Sequence, residues 1–208
     1  MHIDIADKVD LDAVLKFATE RHAGQMRTSG EPYITHPIRV MKLVQKYKPS
    51  KNQDILSAGA LLHDVLEDTY TSYRELIDRF GLIVASLVME VTSSGFVSQM
   101  VGKQVYLAHK MQYMSSYALI IKLADRLDNI SDFGGMPVAK IKKTFFDTIY
   151  MVNYIETKRI LTASQSNLVQ AIRDQLEVLN KKYKFTLNTL VTDTDLDQEW
   201  IKKLHTLN

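Results

Sequence analysis

One short segment carries the residue types that hydrolytic chemistry needs. In residues 61–69, LLHDVLEDT, two leucines lead into His63-Asp64, and Glu67-Asp68 follow. Adjacent residues of a helix point about 100° apart, so His63 and Asp64 can converge on one cation placed between their directions. Glu67 and Asp68 lie at i+4 from this pair, so in a continuous helix they lie one turn further on and face a metal-bound water. The spacing predicts a divalent-metal site with two acids that act on water.

One histidine and one aspartate do not fill a coordination shell, so other segments must contribute. His36 precedes Pro37 at a predicted helix start, and Asp125 begins a polar helical face that continues through Asp128, Asn129 and Asp132. Two imidazoles and two carboxylates, completed by water, suit Mn²⁺ or Fe²⁺, and Zn²⁺ is also compatible. Taken singly, each group is typical of a solvated helix end or a salt-bridged surface. The apolar residues that lead into each acidic group favour a shared metal site.

The elements that position these residues are predicted to be helices. The chain has only 8 glycines and 4 prolines, which disfavours a turn-rich β-fold. Asp10 or Asp12, Ser50 and Ser72 are candidate N-caps, and Gly81 is a candidate helix stop. Apolar periodicity predicts helices near residues 10–24, 37–47, 55–64, 72–81, 82–92, 99–114, 117–131, 137–161 and 167–183, with residues 82–92 buried and a short last helix after Asp193 or Asp195. We therefore expect an all-α protein of about eight to ten helices.

Composition narrows the function classes. The chain has 208 residues and a net charge of +2, which suits one domain and disfavours a general nucleic-acid binder. It has no cysteine, which excludes disulfides, zinc-thiolate sites and thiol nucleophiles and fits a reducing compartment. The first residues do not resemble a signal peptide, and the nearly apolar stretch 82–89 is far shorter than the ~20 residues that span a bilayer. We expect a soluble, cytoplasmic protein with no membrane partner.

Three blocks together resemble a known family. They are HAGQMRTSGEPYITHP at residues 22–37, LLHDVLEDT at 61–69 and KLADRLDN at 122–129. The chain resembles the HD-domain metal-dependent phosphohydrolases, and specifically the alarmone hydrolase domain of the RelA/SpoT enzymes, over roughly residues 10–155. The resemblance implies an HD-domain helical bundle over residues 1–162, with residues 163–208 as a C-terminal helical extension packed on it. No synthetase domain follows, so the chain looks like a stand-alone small alarmone hydrolase.

The resemblance also implies roles for individual residues. His36, His63, Asp64 and Asp125 match the family's metal ligands, and Glu67 and Asp68 match its catalytic acids. The implied substrate contacts are Arg27, Asn129 and Tyr150, although Tyr150 could equally be an ordinary core or surface tyrosine. The implied activity is Mn²⁺-dependent hydrolysis of the 3′-diphosphate of (p)ppGpp to GDP or GTP and pyrophosphate.

Three departures from the family pattern leave the substrate open. Thr28 and Ser131 stand where the family commonly has basic residues, and Asp128 replaces a common histidine or tyrosine. The alternatives are therefore an HD phosphohydrolase acting on adenosine alarmones, NADPH or pyrophosphorylated RNA ends, or a non-catalytic alarmone-binding module. Lysines that could complete phosphate neutralisation are Lys103, Lys110, Lys122 and Lys143, although any one alone is typical of a solvated surface. The sequence does not define the oligomeric state.

Overall fold

The computed structural model describes residues 9–185, and the regular elements of this range are ten helices. They are α1 (Leu11–Arg21), α2 (Thr35–Tyr47), α3 (Gln53–Leu62), α4 (Val65–Asp68), α5 (Tyr73–Val91), α6 (Gly95–Val101), α7 (Lys103–Tyr113), α8 (Ser116–Ser131), α9 (Val138–Lys158) and α10 (Ala163–Tyr183). Apart from one isolated bridge between Met26 and Pro32, this range has no β-structure, which confirms the all-α prediction. The helix predicted after Asp193 or Asp195 lies outside the described residues.

Helix α8 is the central element of the bundle. Apolar residues surround its axis, with Leu119, Ile120, Ile121 and Leu123 all fully buried. Helices α2, α3, α5, α9 and α10 pack against it. A helix that is apolar on every side is stable only in a core, since each apolar side chain removed from water contributes about 1.5–3 kcal/mol. The polar C-terminal half of α8, which carries Asp125, is therefore held rigidly inside the molecule.

Helix α3 lies deep because one of its residues has no side chain. A Cβ atom at Gly59 would lie 2.7 Å from Cδ2 of Leu87 on α5 and 2.9 Å from Cδ1 of Ile121 on α8. Glycine therefore permits the close approach of three helices. The residues from Leu56 to Leu62 are all buried, so the C-terminal end of α3 brings the following His63 into the interior.

The predicted helix starts are partly confirmed. Asp10 caps α1 by accepting hydrogen bonds from two backbone N–H groups, and Ser72 caps α5 by accepting one from Glu75. The predicted cap at Ser50 is wrong: α3 begins at Gln53, and Asn52 occupies the N-cap position. The Ser50 hydroxyl instead accepts a hydrogen bond from the backbone N–H of Asn52, so its capping capacity is used in the preceding turn.

One predicted helix boundary is confirmed, and a second boundary was not predicted. Gly81, the predicted helix stop, has φ of 82° and ψ of 163°, so it is non-helical and separates two helical segments that meet at a kink within α5. Gly102, with φ of 92°, divides the predicted helix over residues 99–114 into α6 and α7. Glycine populates positive φ at little cost, so the chain turns at both residues.

The apolar segment from Tyr73 to Val101 is long and apolar enough to cross a membrane by length and composition alone, with 28% of its most apolar window buried. The structure divides it into α5 and α6 at residues 92–94. The prediction that residues 82–92 are buried holds for one face of α5 only. Val84, Ala85 and Val88 lie in the core, whereas Leu82 is 55% exposed.

Helix α10 packs on α8 and α9 and shares their core. Its buried residues include Leu168, Ile172 and Leu176, and the Gln175 side chain donates a hydrogen bond to the carbonyl of Ile130 at 3.2 Å. It begins earlier than predicted because Thr162 and Gln165 form a reciprocal capping box. The division of the chain into an HD domain over residues 1–162 and a C-terminal extension over residues 163–208 stays a prediction.

Candidate functional site

His63 and Asp64 lie at a break between two helices. Helix α3 ends at Leu62 and α4 begins at Val65, so the condition of one continuous helix through residues 63–68 is not met. The carbonyl of Asp64 accepts hydrogen bonds from the N–H groups of Glu67 at 3.1 Å and Asp68 at 2.9 Å, so a new helical turn starts there. Beyond the break, Asp64, Glu67 and Asp68 line one cavity, and His63 is fully buried beside Asp64. We call residues 63–68 the HD corner.

The structure brings four predicted ligands together. His63 Nε2 lies 2.9 Å from Asp64 Oδ2 and 3.8 Å from Asp125 Oδ1. His36 Nε2 lies 3.6 Å and 3.3 Å from the same two oxygens. One ligand atom each from His36, His63 and Asp125 fit within 4.8 Å of one another. Two helices, α2 and α8, and the HD corner thus supply two imidazole nitrogens and two carboxylate oxygens to one small volume.

Both histidine rings are oriented so that Nε2 faces this volume. His63 Nδ1 donates to the carbonyl of Ala60 at 2.8 Å, and His36 Nδ1 donates to Asp128 Oδ2 at 2.6 Å. Such a partner on one ring nitrogen fixes the tautomer in which the other presents a lone pair, as in metal-ligating histidines. His63 Nε2 is buried and, although it lies 2.9 Å from Asp64 Oδ2, it makes no hydrogen bond among the described residues. A buried nitrogen in this state fits a metal ligand.

The electrostatics of the cluster are those of tightly coupled opposite charges. Burial lowers the pKa of His63, but Asp64 and Asp125 outweigh burial, so its pKa is raised above the ordinary value, and a cation that binds at Nε2 would displace the proton there. Burial raises the pKa of Asp125, but Lys122 and both histidines outweigh it and hold the pKa well below its usual range. The Nζ atom of buried Lys122 lies 3.3 Å from Asp125 Oδ2. Burial also raises the pKa of Asp64, but the charge of His63 outweighs burial and lowers it, so both carboxylates are held ionised, which is the form that binds a cation.

The two predicted catalytic acids line the same cavity and have different partners. Glu67 Oε2 accepts a hydrogen bond from the backbone N–H of Ser93 at 3.0 Å. Asp68 Oδ2 accepts one from the Tyr33 hydroxyl at 3.1 Å, and that hydroxyl also lies 2.7 Å from Asp64 Oδ2. Burial and the neighbouring Asp64 raise the pKa of Asp68. The structure therefore places one acid with a raised proton affinity beside the four ligand candidates.

A network of side-chain ion pairs lies next to the ligand candidates and contacts His36 through Asp128. Arg39 donates to both oxygens of Asp128, at 2.7 and 3.1 Å, and to Asp132 at 2.8 Å. Arg27 lies 3.4 Å from Asp132 and donates to Asn129 at 3.3 Å. These contacts confirm that the polar residues from Asp125 to Asp132 share one face of α8. We call Arg27, Arg39, Asp128 and Asp132 the arginine layer.

A cavity of about 470 Å³ opens over the cluster. The carboxylates of Asp64, Glu67, Asp68 and Asp125 line it together with six basic residues, which are Arg27, Lys103, Lys122, Arg126, Lys140 and Lys143. Three of the four lysines considered for phosphate neutralisation are thus present, whereas Lys110 donates to the carbonyl of Thr92 outside this lining. A pocket with an acidic end and many cations suits a ligand that is both metal-binding and polyanionic.

The predicted substrate contacts have different positions. Arg27 and Asn129 line the cavity, and Asn129 donates to Asp125 Oδ1 at 2.5 Å. Tyr150 is not brought to the cavity, and its ring is parallel to that of Tyr154, with the centroids 6.5 Å apart. Of the departures from the family pattern, Thr28 lines the cavity. Ser131 does not, and its hydroxyl donates to the carbonyl of Leu127.

Sequence reasoning missed Tyr33 and Arg39. A signal for both was available, because they lie three residues before and three residues after His36. In a helix, residues at that spacing share a face. In the structure Tyr33 precedes α2 and Arg39 is on its first turns, and both reach side chains of the cluster or its support.

Comparison with known proteins agrees with this geometry. The guanosine-3′,5′-bis(diphosphate) 3′-pyrophosphohydrolase of Aquifex aeolicus is 36% identical over 144 residues, which cover 67% of this chain and 20% of that protein. The MESH1 enzyme of the same name from Xenopus tropicalis is 37% identical over 118 residues, covering 56% of this chain and 65% of that protein. The chain thus spans a fifth of the first relative and less than two thirds of the second.

Comparison with solved structures agrees with the sequence comparison. The solved structure of a metazoan orthologue of SpoT, described as hydrolysing ppGpp, superposes with a TM-score of 0.66 and 26% identity, covering 79% of this chain and 94% of that one. The family model described as HD domain matches residues 14–150, which include all four ligand candidates and both acids. Because this match spans most of the chain, the protein belongs to the HD domain family.

Proposed function

We propose that the protein hydrolyses the 3′-diphosphate of (p)ppGpp, releasing pyrophosphate and GDP or GTP. The observation that carries the proposal is the convergence of His36, His63, Asp64 and Asp125 beside two acids in a cavity lined by six cations. Relatives that are 36% and 37% identical bear the name of this activity. An acidic metal-binding end and a cationic remainder match a nucleotide that carries two separate polyphosphate groups.

The four converging side chains would hold the cation that the reaction needs. The buried Nε2 of His63 makes no hydrogen bond among the described residues and lies 2.9 Å from Asp64 Oδ2, which supports this role, since the Nδ1 of the same ring is already bonded to a carbonyl. A mixed set of two imidazoles and two carboxylates suits Mn²⁺, and Fe²⁺ or Zn²⁺ also fits these ligands. A bound divalent ion supplies Lewis-acid stabilisation of phosphoryl charge, worth several kcal/mol.

Asp68 and Glu67 would orient the attacking water and take its proton. The water oxygen forms a bond to the phosphorus that is attached to the 3′ oxygen, and the bond between that phosphorus and the 3′ oxygen breaks. The 3′ oxygen gains a proton and becomes a hydroxyl, and the two phosphates leave as pyrophosphate. Burial and Asp64 raise the pKa of Asp68, which makes it a better proton acceptor near neutral pH than an ordinary carboxylate. Glu67 is held in place by the N–H of Ser93.

The basic residues would bind the remaining phosphates and keep the nucleotide oriented. Arg27 presents a planar fork of donors, which suits phosphate oxygens, and its two partners Asn129 and Asp132 fix its direction. Lys140 and Lys143 on α9 line the same cavity. The absence of cysteine is compatible with a reducing compartment, and we infer that the enzyme acts in the cytoplasm.

The test is a substrate panel with the full purified chain. With Mn²⁺ and ppGpp we expect equal amounts of GDP and pyrophosphate, and no product after chelation. The panel includes an adenosine alarmone, NADPH and 5′-pyrophosphorylated RNA, with separate detection of phosphate and pyrophosphate. Asp78→Asn, an exposed carboxylate paired with Arg74 on α5, is the matched control and should keep full activity. Faster turnover of another member of the panel would falsify the substrate assignment.

A further inference from the structure

The outer nitrogen of His36 faces a carboxylate that is itself fully engaged. Asp128 Oδ2 lies 2.6 Å from His36 Nδ1 and 3.1 Å from Arg39 Nη2, and its Oδ1 lies 2.7 Å from Arg39 Nε. An ionised carboxylate only accepts hydrogen bonds, so the proton of this contact belongs to His36 Nδ1. The Nε2 atom is therefore the one left to face Asp64 and Asp125.

The contact is built into the pairing of two helices. On α2, Arg39 lies three residues after His36; on α8, Asp128 lies three residues after Asp125. Residues at this spacing share a helix face. Each helix thus presents one ligand candidate and one supporting residue, and the supporting residues pair with each other.

We propose that Asp128, clamped by Arg39, is a positioning residue that fixes the ring of His36 for cation binding. The inference rests on the metal site of the proposed function. Arg39 holds the carboxylate bidentately, which restricts its rotation as a single hydrogen bond does not. Asp128 is buried, so solvent does not compete for the contact. Outer partners of this kind alter metal affinity by about 10–100-fold when removed.

The experiment measures the dissociation constant of Mn²⁺ from free-ion EPR for the wild type and three variants. Asp128→Asn should raise the dissociation constant about 10–100-fold. Arg39→Lys keeps the charge but loses the fork, and should raise it by less. Glu31→Gln is the matched control, because Glu31 also binds Arg39, at 3.0 Å, but has no contact with His36 in the structure. It should bind Mn²⁺ as the wild type does.

A second readout separates positioning from general stability. In Zn²⁺-loaded protein the Nδ1–H proton of His36 should give a downfield NMR signal that Asp128→Asn loses and Glu31→Gln keeps. Melting temperatures in EDTA report the folding of each variant, and Arg39→Lys decides the question if Asp128→Asn does not fold. Equal Mn²⁺ affinity in wild type and Asp128→Asn overturns the positioning role, whereas a wild type that binds no Mn²⁺ overturns the metal site itself.

Discussion

The two histidines of the site are held by different kinds of structure. His63 is bonded to the backbone carbonyl of Ala60, three residues earlier, and is fully buried at the end of α3. His36 depends on the side chain of Asp128, 92 residues away, which depends in turn on Arg39. In the HD corner, the half of the site that contains His63, a nearby backbone carbonyl holds the histidine. In the half that contains His36, side chains of the arginine layer hold the histidine.

This difference determines how each half responds to substitution. No side-chain replacement removes the carbonyl of Ala60, so the orientation of His63 is lost only if α3 itself is disturbed. The support of His36 is lost when one polar side chain changes, and its clamp is at the edge of the fold, with the Arg39 side chain 33% exposed. We expect variants of the HD corner to cause large losses and variants of the arginine layer to cause graded ones.

The largest expected effect is that of Asp64→Ala in the HD corner. The variant removes one carboxylate ligand and leaves buried Lys122 and two histidines with less negative charge around them. Mn²⁺ binding and hydrolysis should be lost together, with turnover reduced at least about 10³-fold, since several kcal/mol of charge stabilisation disappear. Titration with Mn²⁺ and product analysis measure both. Retained Mn²⁺ binding in this variant would contradict the ligand assignment.

Asp68→Asn should separate proton transfer from metal binding within the same corner. The amide keeps the shape of the side chain and can still accept from Tyr33, but it takes up no proton near neutral pH. We expect kcat to fall about 10²–10⁴-fold. The Mn²⁺ dissociation constant should stay near that of the wild type. An active Asp68→Asn enzyme would show that Asp68 is not the proton acceptor, and Glu67→Gln would then test its neighbour.

The same contrast explains how far the sequence could be interpreted. The all-α fold and the HD corner depend on periodicity and short spacings, which a sequence displays directly. His36 could be identified from its position before Pro37 at a predicted helix start, and Asp125 because apolar residues lead into it. The confirmed face of α8 followed from helical spacing alone.

What the sequence did not predict depends on tertiary contacts or on special backbone. The pairs of Arg39 with Asp128 and of Arg27 with Asp132 join residues 89 and 105 positions apart, and no spacing rule encodes them. Gly102 has positive φ and divides the helix that apolar periodicity predicted over residues 99–114, a break that the periodicity did not indicate. The break at His63 was missed because residues 61–69 contain no glycine or proline.

Tyr33→Phe should have a moderate effect, because Tyr33 joins the two halves of the site. Its hydroxyl reaches Asp64 and Asp68 in the HD corner, while its ring lies edge-on to His36, with the centroids 5.9 Å apart. Loss of one hydrogen bond to a charged group costs about 1.5–3 kcal/mol, and we expect kcat to fall roughly 10-fold to 100-fold. The Mn²⁺ dissociation constant should change less than in Asp128→Asn. The opposite ranking of these two variants would show that Tyr33 supports the ligands rather than the acids.

The smallest effect is expected in the pH dependence of stability, measured by urea unfolding in EDTA. Burial raises the pKa of Asp128, but the hydrogen bonds from His36 and Arg39 outweigh it, so the folded pKa is below 3.8. The stability that ionised Asp128 contributes is therefore complete above about pH 4 and is lost as the pH falls through the lowered pKa.

Burial lowers the pKa of His36, but Asp125 and Asp128 raise it above 6.5. The stability that protonated His36 contributes is therefore complete below about pH 6 and is lost as the pH rises through the raised pKa. The difference in unfolding free energy between wild type and Asp128→Asn should thus be greatest between about pH 4 and 6 and shrink by on the order of 1 kcal/mol on either side. A difference that does not vary with pH would mean that Asp128 stabilises the fold by packing and not by charge.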